Sequence, residues 1–162
     1  MKKVGIVMGS DSDLPVIQKA IAILNELEIP FEVHVFSAHR TPEQARTFSL
    51  EARDKGFGVL IAAAGMAAHL AGAIAANTTL PVIGIPCKGP VLDGLDALLS
   101  TVQMPSGIPV ATVGVNNGAN AALLAAEILS VGNAELTQRL QQKRERDTAA
   151  VLEKDAGIAA RL

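Results

Sequence analysis

Aromatic side chains are nearly missing from this sequence, with no Trp, no Tyr and only four Phe in 162 residues. That removes the stacking platform on which single-stranded nucleic acid is held, and a formal net charge of −2 removes the basic footprint of a duplex binder. Cysteine is down to one residue, Cys87, so no internal disulfide is possible. No metal-ligand cluster surrounds it in the sequence, and it reads as a buried structural thiol rather than a nucleophile. Long apolar runs are missing too. The start, MKKVGIVMGSDSD, has two lysines and a short apolar stretch that ends in Gly-Ser-Asp, too short for a signal-peptide core or a membrane span. The expectation is a cytoplasmic protein with neither nucleic acid nor membrane as a partner.

What is present is an alternation. Short apolar runs at 4–8, 31–36, 58–64, 80–85 and 109–115 are separated by helical patterns near 14–27, 42–55, 67–76, 92–101 and 118–131. With 49% hydrophobic residues and no linker or charge block, the chain reads as one domain: an α/β core over 1–132 and a C-terminal helix over 133–162. The predicted fold class is α/β, a three-layer sandwich around a parallel five-stranded flavodoxin-like sheet, with a C-terminal helical arm. That arm is either a subunit contact or a solvated surface helix. The segment AAAGMAAHLAGAIAA (62–76) is small and apolar on nearly every face, which predicts packing against another subunit.

In such a sheet, ligands sit beyond the carboxyl ends of the strands. After the first strand come Gly9, Ser10, Asp11, Ser12 and Asp13, then a helix start with Pro15. A glycine, free N–H groups and hydroxyls suit a phosphate, although N-capping alone accounts for Ser and Asp there. Neither a Walker loop nor the dinucleotide glycine pattern is present. After the second strand come Ser37, Ala38, His39, Arg40, Thr41 and Pro42, with Thr41 as N-cap and Pro42 at the first helical position. Arg40 can clamp a phosphate and favours a neutral, proton-accepting imidazole next to it. His39 is either an acid/base or a structural strand-end histidine. After the third strand, Gly65, Met66, Ala67, Ala68, His69 and Leu70 bring a second histidine to the same edge, with small residues that make room for a ligand. The turn-rich loop QMPSGIPV (103–110) is a candidate lid, and His34, in mid-strand, is read as structural.

The succession MGSDSD, SAHRTP, AAHL, QMPSGIPVAT and NAALLAAEIL, in this order over nearly the whole chain, resembles the N5-carboxyaminoimidazole ribonucleotide mutases of purine biosynthesis. The resemblance implies an isomerase that moves a carboxyl group from the exocyclic nitrogen to carbon 4 of an aminoimidazole ribonucleotide. It also implies a homo-octamer with shared active sites. Carried over residue by residue, it makes His39 the catalytic acid/base. It makes Gly9, Ser10, Asp13, Ser37, Ala38, Arg40, Gly65, Ala67, Ala68, His69 and Leu70 substrate-binding, with no metal and no cofactor. Arg40 and His69 favour the mutase over the related carboxylase that takes free CO2. The chain departs from the commoner pattern at Met66, where a glycine is usual, and at Ala71, where a proline is usual. A glycine with positive φ could become Met only with strain, so either that position has ordinary dihedrals or the loop has shifted.

Other readings fail on particular residues. A receiver domain needs an Asp where the third strand ends in Ala64 and Gly65, and a flavin carrier needs flanking aromatic rings. A pyridine-ring carboxylase of nickel-cofactor synthesis normally carries an extra N-terminal region.

Overall fold

The structure, a computed structural model, describes residues 1–158 and Ala160. The expected alternation folds as β1 (Lys3–Met8), α1 (Leu14–Glu26), β2 (Phe31–Val35), α2 (Pro42–Glu51), β3 (Phe57–Gly65) and α3 (Leu70–Ala75). It continues through β4 (Val82–Cys87), α4 (Leu95–Val102), β5 (Ala111–Thr112), α5 (Gly118–Ser130) and α6 (Ala134–Ala156). All strands are parallel in the order β2-β1-β3-β4-β5, the flavodoxin-like order, with the chain reversing direction across the sheet beside β1.

The period-2 alternation of the strands sorts side chains onto two faces. Val4, Ile6 and Met8 of β1 and Val59, Ile61 and Ala63 of β3 point into one core, which α1, α5 and the start of α6 cover. Val7, Leu60 and Ala62 point to the other, under α2 and α3. The central strands are apolar throughout because both faces are buried. On the first face, α1 and α5 approach so closely that a Cβ at Gly118 would lie 2.1 Å from the Val16 carbonyl oxygen, so the α5 start tolerates only glycine.

Several sequence expectations shift. Expected from 67, α3 begins at Leu70, after a bend at Met66 and Ala67 in which Met66 is left-handed (φ +54). Its Leu70, Ala71, Ile74 and Ala75 are buried within the chain, while Ala76 is exposed and Gly72 and Ala73 are half-buried. The fold itself therefore covers most of the segment for which subunit packing was expected. Beginning at Val82, β4 starts two residues later than expected. The edge strand β5 shrinks to two residues, since Pro105 and Pro109 interrupt the approach to it. The C-terminal helix anchors through buried Leu136, Leu140 and Lys143, and every described residue after Lys143 is exposed.

Candidate active site

Three loops at the carboxyl ends of β1, β2 and β3 surround a cavity of about 510 Å³, and the loop after β4 closes its far side. Local chemistry shapes each loop. After β1, the Ser10 hydroxyl accepts from the Ser12 N–H at 3.3 Å and from the Ser12 hydroxyl at 3.0 Å, and donates to Asp11 at 3.2 Å. These bonds hold a short 3₁₀ turn over Asp11–Asp13 that leads into α1. After β2, the Ser37 hydroxyl accepts from the backbone N–H groups of His39 (3.3 Å) and Arg40 (3.1 Å), which fixes the turn that presents both side chains. Thr41 stands at the N-cap position, but its hydroxyl turns back to Ser37, accepting from the Ser37 N–H at 2.8 Å and donating to the Ser37 carbonyl at 3.2 Å. The expected capping bond into α2 is therefore not made.

The loops converge on two contacts. The Arg40 guanidinium reaches across to β1 and donates from Nη2 to the Gly9 carbonyl at 3.1 Å, which brings it alongside the Ser10 turn. His39 Nε2 lies 2.6 Å from His69 Nδ1, with the rings edge to face at 4.8 Å between centroids. A neutral imidazole carries one N–H, so in this pair one ring donates and the other accepts. The two histidines thus form a unit with a defined place for one mobile proton.

Gly9, Ser10, Asp13, Ser37, Ala38, His39, Arg40, Gly65, Ala67, His69 and Leu70 all border the cavity. Ala68 is buried behind it. His34 lies outside it, stacked on Phe36 at 5.0 Å. The loop 103–110 does not close over the site. It precedes β5, so in a parallel sheet it falls at the opposite end, where Gly107, Ile108 and Pro109 border a second cavity. Sequence reasoning missed Ser12, Ala64, Met66, Lys88, Gly89 and Pro90 as cavity walls. Lys88 to Pro90 follow β4, so the strand-end rule that led to the other loops also covers them. Met66 combines its left-handed backbone with an exposed side chain whose Cγ is 3.4 Å from where a Cβ on Gly89 would stand, so it spans two rims of the cavity. The ordinary dihedrals offered as one alternative are not found, and the strain foreseen for a non-glycine residue is present.

Asp13 lines the cavity next to the end of β4. Burial pushes its carboxyl above the usual range, with the Asp11 charge adding to the rise, while hydrogen bonds from Cys87 and the Ser10 backbone oppose it. Burial likewise pushes the Cys87 thiol up to about 12, assisted by Asp13, so it remains S–H at any physiological pH. This agrees with its reading as a structural thiol. Among the described residues no group of three His, Cys, Asp or Glu side chains is placed to hold a metal ion, and no helix is long and apolar enough to cross a membrane.

A family model described as AIR carboxylase matches residues 3–150. The N5-carboxyaminoimidazole ribonucleotide mutase of Pyrococcus abyssi (strain GE5 / Orsay) is 55% identical over 145 residues, which are 90% of this chain and 83% of that protein. The Thermotoga maritima protein of the same name is 51% identical over 154 residues, 95% of this chain and 90% of its own. The crystal structure of Treponema denticola PurE shares the fold with a TM-score of 0.83 at 30% identity, covering 94% of this chain and 96% of that one. Since the family match runs from β1 to within α6 and takes in every loop that walls the cavity, the chain belongs to the AIR carboxylase family.

Proposed function

We propose that the chain is an N5-carboxyaminoimidazole ribonucleotide mutase, an isomerase that moves a carboxyl group from the exocyclic nitrogen to carbon 4 of the imidazole ring in purine biosynthesis. The observation that carries the reading is the His39–His69 pair, bonded at 2.6 Å on the wall of a cavity large enough for a mononucleotide. The phosphate belongs with Ser10, Ser12 and Arg40, which supply hydroxyl donors and a guanidinium beside the α1 start. Asp13, a carboxyl that supplies acceptors, belongs with the ribose hydroxyls.

The reaction then needs one proton moved twice. Cleavage of the N–COO⁻ bond releases CO2 and leaves an electron pair on the exocyclic nitrogen, which takes a proton. Carbon 4 attacks the CO2, forming the C–C bond, and loses its own proton to restore the aromatic ring. His39 is the group proposed to give the first proton and take the second, with the substrate in the place His69 now occupies at Nε2. His69 is its proton partner between the steps. The carboxyl is already activated and the proton account closes, so the step calls for no nucleotide, biotin or metal. Escape of CO2 would uncouple it, and the small residues Gly65 and Ala67 leave a tight wall.

The active form is proposed to be a cytoplasmic homo-octamer with shared active sites. Supporting assembly, α4 exposes Leu95, Leu99 and Val102 along one stripe, continuing from exposed Val91 and Leu92 on the cavity loop. The exposed apolar stripe thus lies on α4, whereas subunit packing was expected on the 62–76 segment. The test is direct. N5-carboxyaminoimidazole ribonucleotide and, separately, aminoimidazole ribonucleotide with bicarbonate are supplied, and carbon-4 carboxylation is followed. Preference for the first supports the mutase, whereas preference for the second makes the enzyme a CO2-dependent carboxylase.

A further inference from the structure

Charge is scarce around the cavity. Among its lining residues Arg40 and Lys88 carry the permanent positive charges and Asp13 the carboxyl. The two cations stand on opposite walls. Arg40 follows β2 and Lys88 follows β4, and in the order β2-β1-β3-β4 these strands are three spacings apart, about 14 Å at the usual interstrand distance. Arg40 is further committed to the β1 side by its bond to the Gly9 carbonyl. The histidine pair comes from the loops after β2 and β3, between the two cations.

Lys88 is fixed at its backbone and loose at its tip. Its N–H donates to Asn116 Oδ1 at 2.8 Å, and the Asn116 N–H donates to the Pro86 carbonyl at 2.9 Å, so the loop after β5 clamps the end of β4. Gly94, at φ +95, lets the chain turn back so tightly that a Cβ there would lie 3.2 Å from the Lys88 Cα. Asp93 and Asn116 are also left-handed, at φ +52 and +57, so strained backbone brackets this lysine. Among the described residues the ammonium group pairs only with Asp93, at 3.0 Å, and the two side chains are 57% and 81% exposed. An ion pair so open to water is weak and gives way readily to a better anion.

We propose that Lys88 binds the carboxylate that the reaction moves. The proposal rests on the mutase reading. The substrate carries two anions, a phosphate and a carboxylate. With the phosphate held by Arg40 and the serines on the β1–β2 side, the ring points toward the β3 and β4 loops. There the four-carbon stem of Lys88 can swing its ammonium from Asp93 to the carboxylate. The contact exists in both carboxylated states of the ring and is absent from the decarboxylated ring, so Lys88 sets the preference for carboxylated nucleotides.

The experiment is equilibrium binding, by calorimetry, of 4-carboxy-5-aminoimidazole ribonucleotide and of 5-aminoimidazole ribonucleotide to the wild-type protein, Lys88→Met and Lys88→Arg. Circular dichroism checks the fold of each variant. The expected result is a loss of about 10- to 100-fold for the carboxylated nucleotide in Lys88→Met, the range of a charged hydrogen bond, with the decarboxylated nucleotide unchanged within about 2-fold. Lys88→Arg recovers most of the loss. Equal loss for both ligands overturns the proposal by putting Lys88 on the phosphate or the scaffold, and no loss for either overturns it as well. A CO2-dependent carboxylase binds the same two nucleotides and is told apart by the carboxylation assay, whereas a wild-type protein that binds neither nucleotide overturns both the mutase reading and the proposal.

Discussion

The two ends of the sheet each carry a cavity, and the larger one is at the wrong end. Where the strands begin, about 840 Å³ opens between the end of α2, the turn before β4 and the loop before β5. Where they finish there is about 510 Å³. At the starting end, Arg53 donates to the Thr79 hydroxyl at 2.9 Å and the walls are otherwise threonine, asparagine, proline and aliphatic side chains beside Asp54, with no titratable pair in contact. At the finishing end, two bonded histidines, a tethered arginine, a desolvated carboxyl and a left-handed methionine converge. The contrast teaches that convergence of polar groups, rather than volume, marks a site. In a parallel sheet the N-terminal halves of the helices face the finishing end, so anions are favoured there and not at the other.

The largest effect that tests this contrast is at His39. His39→Asn, close to imidazole in size but unable to shuttle a proton, should lose about 10²–10⁴-fold in turnover while still binding nucleotide and assembling normally. His69→Asn should lose less, and Arg53→Ala at the other end should leave turnover unchanged. Steady-state kinetics of the three variants is the measurement. Near-normal turnover in His39→Asn would move the acid/base elsewhere, with His69 first in line. A large loss in Arg53→Ala would break the contrast itself.

Next in size is Arg40. Arg40→Ala should weaken a phosphorylated aminoimidazole ligand by about 10- to 100-fold and the matching nucleoside by little, because what is removed is a charge-assisted contact to the phosphate. Equal weakening of both in a titration would take Arg40 off the phosphate and leave it only its bond to the Gly9 carbonyl.

Most of the finishing end was legible in the sequence because strand-end position is a matter of order. Gly9, Ser10 and Asp13 follow the first apolar run, His39 and Arg40 the second and His69 the third, and a parallel sheet gathers all of them on one rim. The same logic, applied to loops that precede strands, puts residues 103–110 at the far end, and a lid was expected there only because turn-forming residues look alike on either rim. What order does not encode is side-chain direction. The 2.6 Å contact between His39 and His69 depends on rotamers in two loops 30 positions apart, and the turn of Thr41 back onto Ser37 replaces a capping bond that its position alone suggested. Lys88 follows the fourth apolar run by the same rule, but in the sequence it stands alone, with no histidine, serine or second cation beside it.

A smaller effect is expected at Met66. Its φ of +54 costs a side-chain-bearing residue about 1–3 kcal/mol, while glycine there loses roughly 0.5–1 kcal/mol in chain entropy. Met66→Gly should therefore stabilise the fold by about 1 kcal/mol, or roughly 2–4 °C in Tm. It should also open the wall that Met66 and Gly89 form together. A thermal melt that falls instead would show that the contact across the rim outweighs the strain.

An effect of similar size to that at Met66 concerns Cys87, buried beside Asp13 at the finishing end. With the thiol pushed up to about 12 from an ordinary value near 9, the native protein holds a proton that the unfolded chain gives up sooner. The sign follows from linkage: the stability contributed by the protonated native thiol is fully present below pH 9 and is lost as pH rises from there toward about 12. The loss is at most about 1.4 kcal/mol per pH unit in that window. Urea denaturation at pH 8 and pH 10 should thus show the wild-type midpoint falling more than that of Cys87→Ser, whose hydroxyl does not ionise in this range. At pH 8 the wild-type thiol should also react with a thiol-directed reagent far more slowly in the native protein than in urea, since both burial and the missing thiolate oppose attack. Equal slopes for the two proteins, together with fast labelling of the native thiol, would mean that water reaches the Asp13–Cys87 contact. The desolvation that raises the Asp13 carboxyl would then have to come from another wall of the cavity.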